Sequence, residues 1–218
     1  MGLRRSWWVS FFGLPYGLPG RLGVRVMPRA SRPFHEAIAA ELDFQPEDEL
    51  LDVGCGSGTL FVGHAGHVRH VAGLDASELQ LELARHRLAE RIAAGTAEIV
   101  QGDADHLPWE DGRFSVATSI NAMKFLTDPL AALREMHRVL RPGGRMAVTL
   151  GESGEAPADA TEGVVDKWGQ WQWTDDAARR LLEEAGFTGV EISVMPVRSR
   201  ALLARGVKSA AAAAERVA

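Results

Sequence analysis

The 218-residue sequence has a single cysteine, Cys55. One thiol excludes an internal disulfide and any multi-cysteine metal site, and such sparing use suits a reducing compartment. No metal is expected. No apolar run is long enough to span a bilayer. Acids are absent from residues 1–35, which hold six arginines (Arg4, Arg5, Arg21, Arg25, Arg29 and Arg32); with a net charge of −5 for the whole chain, this leaves −11 on the remainder. The overall sign argues against general nucleic-acid binding, while a basic lead on an acidic body can reach an anionic partner or dock on its own body. A secretory signal is also not expected. Pro15, Pro19 and three glycines (Gly13, Gly17 and Gly20) interrupt the apolar part of the lead, and no small-residue cleavage site follows. The chain therefore reads as cytoplasmic.

What is present is an alternation of strand-like and helix-like segments. Residues 32–43 place Phe34, Ile38 and Leu42 at helical spacing. "ELLDVG" is a short, mostly apolar strand of the kind buried in a parallel sheet. A helix is expected to open over residues 56–66, and residues 68–75 read as a second strand ending in Asp75. Ser77 and Gln80 have capping-box spacing before one long helix that stops near Gly95. Residues 97–103 and 113–120 give two more strands. Asp128 and Pro129 open a helix that "RPGG" (141–144) ends, and residues 145–151 form a fifth strand. Thr174 caps a helix through Ala185, closed by Gly186. Residues 190–196 and 201–208 are then strands joined by a short turn.

This alternation predicts an α/β fold, a doubly wound, mostly parallel sheet with helices on both faces and one antiparallel strand from the closing hairpin. The expected organisation is a lead and cap helix (1–44), a core (45–208) and a flexible tail (209–218). An acidic, tryptophan-rich insertion at 152–173 interrupts the core and reads as a lid.

The chemistry centres on "LLDVGCGSGTL", residues 50–60. A glycine turn after the first strand lets a ligand approach the backbone at the sheet's switch point. The spacing is Gly54-x-Gly56-x-Gly58. A dinucleotide fingerprint needs its third glycine at position 59, which is Thr59, and a phosphate loop needs a nearby lysine, which is missing. Asp75 closes the second strand, where a carboxylate can accept hydrogen bonds from a ribose diol. Asp103 closes the third, where one can accept from an adenine amine. Asn121 follows the fourth, beside the reactive end of whatever is bound. Either aspartate alone could be a helix cap; both, at successive strand ends behind a glycine turn, favour ligand binding.

"LLDVGCGSG", "LDAS", "GDADHLPWEDGRFSVATS" and "LREMHRVLRPGGR", in this order, resemble the motifs of class I S-adenosylmethionine-dependent methyltransferases. The branch most resembled contains the ubiquinone and menaquinone biosynthesis enzymes and many small-molecule methyltransferases. The resemblance covers about residues 45–208. It implies a seven-stranded sheet with a reversed last strand, and S-adenosylmethionine as cofactor, with S-adenosylhomocysteine as product. It further implies that Gly54, Cys55 and Gly56 flank the methionine part, Asp75 holds the ribose, and Asp103 with Ala104 contacts the adenine. Asp52, Gly58, Ala76, Gln80, Gly102 and Asn121 complete the expected cofactor site.

Methyl transfer from a sulfonium is an in-line displacement, so alignment matters more than acid–base chemistry, and a base is needed only where the nucleophile must lose its proton early. No catalytic residue stands out. His35 on the leading helix, His106 after the third strand and Lys124 after the fourth are the weak candidates, each also readable as a solvated surface group. Trp168, Trp171, Trp173 and Tyr16 suggest an aromatic-lined pocket for a small hydrophobic or aromatic acceptor. Peripheral membrane contact through residues 1–30 is a rival role for the lead, since arginines beside tryptophans suit an anionic interface. Two alternatives accompany this expectation: a membrane-associated lipid or quinone methyltransferase, and a non-catalytic cofactor-binding partner protein.

Overall fold

A computed structural model of the chain describes residues 31–152, 160, 162–166, 169–195 and 201–210. Tyr16, Trp168 and the lead of residues 1–30 lie outside the described residues. Seven strands form one sheet: β1 (Glu49–Val53), β2 (His70–Asp75), β3 (Ala97–Gln101), β4 (Phe114–Ser119), β5 (Leu140–Glu152), β8 (Phe187–Val194) and β9 (Ala201–Lys208). Their spatial order is β3-β2-β1-β4-β5-β9-β8, while β6 (Val164–Val165) and β7 (Trp171–Gln172) pair separately. Pairings from β3 through β5 are parallel, and β9 runs antiparallel to both of its neighbours, β5 and β8. This is the expected doubly wound sheet. The reversed strand sits inside it, between β5 and β8, so that its ladder groups are paired on both sides.

Helices α1 (Arg32–Leu42), α2 (Thr59–Gly63), α3 (Glu78–Arg87), α4 (Ala89–Ala93), α5 (Pro129–Val139) and α6 (Asp175–Glu184) cover the faces. Asp128 caps α5 by accepting from the Ala131 N–H (2.9 Å), and Thr174 caps α6 by accepting from the Ala177 N–H (3.1 Å), as the sequence suggests. Two boundaries differ from the sequence reading. The helix after Ser77 breaks at Leu88, giving α3 and α4 rather than one long helix. "RPGG" does not separate helix from strand but bulges out of β5: Leu140 pairs with Phe114 and Arg145 with Val116, leaving residues 141–144 unpaired between them. Two apolar clusters fill the two sides of the sheet, one around Phe114, Met136 and Trp173, the other around Ile38, Phe61 and Val116.

At the amino-terminal ends of the strands an ion pair between buried Asp48 and half-buried Arg145 ties distant segments together. The Arg145 Nη2 lies 2.6 Å from Asp48 Oδ2, and its Nε donates to the Leu42 carbonyl (2.9 Å). Ser115 Oγ and the Gln45 N–H also donate to the Asp48 carboxylate. Burial alone would raise the Asp48 pKa, but the hydrogen bonds from Arg145, Gln45 and Ser115 hold it below the ordinary carboxylate range. Asp48 is 3% exposed, so losing its partner leaves an uncompensated buried charge. Arg145→Met is expected to lower unfolding free energy by about 3 kcal/mol. The double variant Asp48→Asn/Arg145→Met should recover much of that loss, and urea unfolding of the three proteins checks both.

Candidate functional site

The strand order reverses between β1 and β4, and the chain segments leaving β1, β2, β3 and β4 surround a cavity of about 1000 Å³. Gly54, Cys55 and Gly56 form one wall, Asp75 and Ala76 the next, Gly102, Asp103 and Ala104 a third, and Asn121 to Asp128 the fourth. Ser31, Phe34 and His35, at the start of α1, close another side.

The glycine turn is held in a conformation that side chains rarely adopt, with Gly54, Gly56 and Gly58 at φ of 78°, 53° and 72°. Gly54 is constrained twice, because a Cβ there would lie 2.3 Å from the Ala122 Cβ. Asp75 fixes the turn from the neighbouring strand: its Oδ2 accepts from the Gly56 N–H (2.9 Å) and its Oδ1 from the Ser77 N–H (2.8 Å). Each carboxylate oxygen keeps a lone pair for a ligand. Burial raises the Asp75 pKa, and these two backbone bonds oppose the rise. Across the cavity Asn121 has φ 59°, a rare conformation outside glycine, and its N–H donates to Thr149 Oγ1 (2.7 Å). That turn carries Ala122 up against Gly54.

The structure gathers most of the sequence candidates around this one cavity: Gly54, Cys55, Gly56, Asp75, Ala76, Gln80, Gly102, Asp103, Ala104, Asn121, and also His35, His106 and Lys124. Asp52 and Gly58 stand behind the wall instead. Asp52 is buried and accepts from Thr118 Oγ1 (2.8 Å), while Gly58 leaves room for Ala84 and Leu88 of α3. His35 is 8% exposed, not a surface histidine, whereas His106 is largely exposed beside Asp105. The Ser77–Gln80 capping box does not form; the Ser77 side chain makes no cap bond and Gln80 is buried, facing Gly56 across the cavity wall. Cys55 is buried, and burial followed by the charges of Asp75 and Asp52 pushes its thiol well above its ordinary pKa, so it is no nucleophile.

The tryptophans are the clearest correction. Trp173 is 1% exposed and belongs to the core, with Trp171 stacked on it at 5.9 Å between ring centroids. Neither lines the cavity. Their β-branched and glycine-rich neighbourhood closes around them: a Cβ at Gly163 would lie 2.4 Å from Trp173 Nε1. The insertion reaches the cavity through Gln170 alone among its described residues, and Trp171 acts at one remove, its Nε1 donating to the Leu126 carbonyl (3.0 Å). Among the described residues the phenyl rings that do line the cavity are those of Phe34 and Phe125. Sequence reasoning also missed Arg87, which donates to the Ser57 carbonyl (2.9 Å) and Oγ (2.8 Å) and braces the glycine turn from α3. No short-range pattern links residues thirty positions apart.

Asp75, Asp103, Asp105 and Asp128 face the cavity with Lys124 as the one cationic side chain among its lining residues, so the field favours a ligand with positive charge.

Fold and cavity together define a Rossmann-like, doubly wound α/β protein with its ligand site at the switch point of the sheet. More particularly, residues 51–148 match the family model described as a methyltransferase domain. The chain is 36% identical over 107 residues to the ubiquinone/menaquinone biosynthesis C-methyltransferase of Ectopseudomonas mendocina, covering 48% of this chain and 42% of that protein. It is 36% identical over 115 residues to the demethylmenaquinone methyltransferase of Symbiobacterium thermophilum, covering 51% and 46%. The chain spans less than half the length of these curated relatives. Among solved structures, the [4+2]-cyclase SpnF is similar with a TM-score of 0.70 at 19% identity, covering 90% of this chain and 99% of that one. The S-adenosylmethionine-dependent methyltransferase SibL is similar with a TM-score of 0.69 at 22% identity, covering 96% and 64%.

One buried acid near the site gives a measurable signature. Burial pushes the Asp52 pKa up to about 7; the Thr118 hydrogen bond opposes this and the Asp75 charge adds to it. The folded protein therefore holds this proton more tightly than the unfolded chain. The stability tied to the proton is complete below the ordinary carboxylate pKa and is lost as pH rises through about 7. Asp52→Asn mimics the protonated form. Its stability relative to wild type should improve by a few kcal/mol between pH 4 and pH 8, as read by urea unfolding at each pH.

Proposed function

We propose that the protein transfers a methyl group from S-adenosylmethionine to a small acceptor held in this cavity. The observation that carries the reading is the convergence of the Gly54–Gly56 turn with Asp75 and Asp103 on one cavity at the strand-order reversal. The residues present fit the cofactor. The backbone of Gly54 and Gly56 has no Cβ to obstruct a methionine moiety, and Asp75 keeps free lone pairs for a ribose diol. Exposed Asp103 offers an acceptor to an adenine amine beside the Ala104 backbone, and the acidic lining suits a cation. When bound, the sulfonium supplies an electrophilic methyl group.

The chain's own residues then have to bind, align and exclude water. Alignment of reacting groups in such a site contributes up to roughly 7–11 kcal/mol. Phe34, Ile120, Phe125 and Leu126 give the acceptor side an apolar lining, which supports a small hydrophobic or aromatic acceptor. Lys124 lies over the Phe125 ring at 5.4 Å and brings a positive charge to the wall that follows β4. These features, not the tryptophans of the insertion, carry the substrate reading.

Calorimetry with S-adenosylmethionine, S-adenosylhomocysteine and NAD tests the cofactor. Both adenosyl compounds are expected to bind, and tight binding of NAD alone would overturn the class. Asp75→Ala should weaken S-adenosylhomocysteine by about tenfold or more, equivalent to at least ~1.4 kcal/mol. Asp75 also holds the turn, so Asp75→Asn, which keeps one acceptor oxygen, should fall between wild type and Asp75→Ala. Unchanged affinity in Asp75→Ala would refute the ribose assignment.

A further inference from the structure

His35, Ile38 and Leu42 share the buried face of α1, but they do not share surroundings. Ile38 and Leu42 enter the apolar cluster with Phe61 and Val116. His35, one turn earlier, forms part of the cavity wall with Ser31 and Phe34. It is 8% exposed, and its Nδ1 is sealed from solvent with no hydrogen-bond partner among the described residues. A buried polar ring atom with no partner costs on the order of 1–3 kcal/mol. An imidazole introduced only for packing would be replaced by an apolar ring at no loss.

The chemistry of the ring then decides what it offers the cavity. A sealed N–H without an acceptor is less tolerable than a sealed lone pair, so the proton belongs on Nε2 and Nδ1 stays bare. Nδ1 is sealed and Nε2 is not among the sealed, unpartnered atoms, which leaves Nε2 as the nitrogen that can meet a ligand. Burial, with the nearby His64 adding to it, lowers the His35 pKa to about 4, so the ring is neutral at pH 7. A neutral imidazole of such low basicity is a poor proton acceptor and an intact donor.

We infer that His35 donates an Nε2–H hydrogen bond to an oxygen of the acceptor molecule, and that the acceptor is a planar, oxygen-bearing compound lying against Phe34. The inference rests on reading the cavity as the methyl-transfer site, and it assigns His35 to binding the acceptor, not to removing its proton. Oxygen recognition by a neutral donor suits methylation at that oxygen or at a ring carbon conjugated with it, because the hydrogen bond stabilises charge on the oxygen without supplying a proton.

The test uses the full chain saturated with S-adenosylhomocysteine and labelled with ¹⁵N in its histidine rings, the His35 signals being assigned by their loss in His35→Phe. A neutral Nε2–H tautomer from pH 5.5 to pH 8 is expected; an Nδ1–H tautomer or a charged ring would overturn the inference. 4-Nitrophenolate, titrated to millimolar concentration at pH 8, should shift the His35 Nε2 signal. Its affinity should fall about fivefold in His35→Phe and hold within about twofold in His35→Gln, whose amide nitrogen reaches the place of Nε2. S-adenosylhomocysteine affinity should stay within about twofold in both variants. Equal 4-nitrophenolate affinity in wild type and His35→Phe, or no shift of the His35 signal, would overturn the assignment. Failure of wild type to bind S-adenosylhomocysteine would instead remove the methyl-transfer reading on which it rests.

Discussion

The site depends on one carboxylate holding two backbone N–H groups. Asp75 reaches from the end of β2 to Gly56 in the glycine turn and to Ser77 at the entrance of α3. A turn containing three left-handed glycines has little conformational preference of its own, since glycine populates both signs of φ with similar ease. Something outside the turn must select its shape. Asp75 does so from one side, Arg87 from behind through Ser57, and Ala122 from across the cavity by standing where a Gly54 side chain would be. The same carboxylate that shapes the turn also faces the cavity, so a change at this residue acts on the turn and on the cavity wall together.

The features legible in the sequence are those set by short-range rules. Alternating apolar runs and caps gave the sheet and its helices because the periodicities of 2 and 3.6 are local, as the working caps of Asp128 and Thr174 demonstrate. The glycine turn and the two strand-end aspartates were legible because position at a strand's carboxyl end follows from strand order alone. Misreadings arose where long-range packing decides. α5 does stop just before "RPGG", at Val139, but pairing of Leu140 with Phe114 starts β5 ahead of it and makes it a bulge, not the gap before the strand. The three tryptophans near residue 170 resemble a ligand cage in composition. For Trp173, closure of Gly163 over the indole buries it in the core, an outcome no local pattern encodes. His35 has the reverse history: on the leading helix it is also readable as a solvated surface group, and only the packing of α1 buries it.

Likeness of fold does not fix the reaction. A [4+2]-cyclase and a methyltransferase both superpose on this chain with nearly equal scores, so the sheet cannot by itself distinguish bond-forming chemistries. Discrimination has to come from the walls that do not touch the expected cofactor positions. In this protein those are the first turn of α1 and the segment from Ala122 to Asp128, which follows the expected cofactor residue Asn121. The second is anchored at both ends, by the Asn121 N–H on Thr149 and by Trp171 on the Leu126 carbonyl. A segment pinned by hydrogen bonds to β5 and to the insertion presents Lys124 and Phe125 on a fixed frame, which is what alignment of an acceptor requires.

Charge placement completes the division of labour between the walls. Asp75 ends β2 and Asp103 and Asp105 follow β3, where they favour a cation, and the segment after β4 carries Lys124 with its ammonium group over Phe125 and Asp128 at its far end. A cationic donor molecule and an electron-rich acceptor placed by this field would meet near the Gly54–Ala122 contact, where the two walls come closest. The histidine on α1 adds no charge to that balance, because burial keeps it neutral, and it leaves the polarity of the cavity unchanged from weakly acid to neutral pH. A neutral donor is therefore the one kind of polar group α1 can bring to the acceptor without either repelling a cationic cofactor or neutralising the acids that hold it.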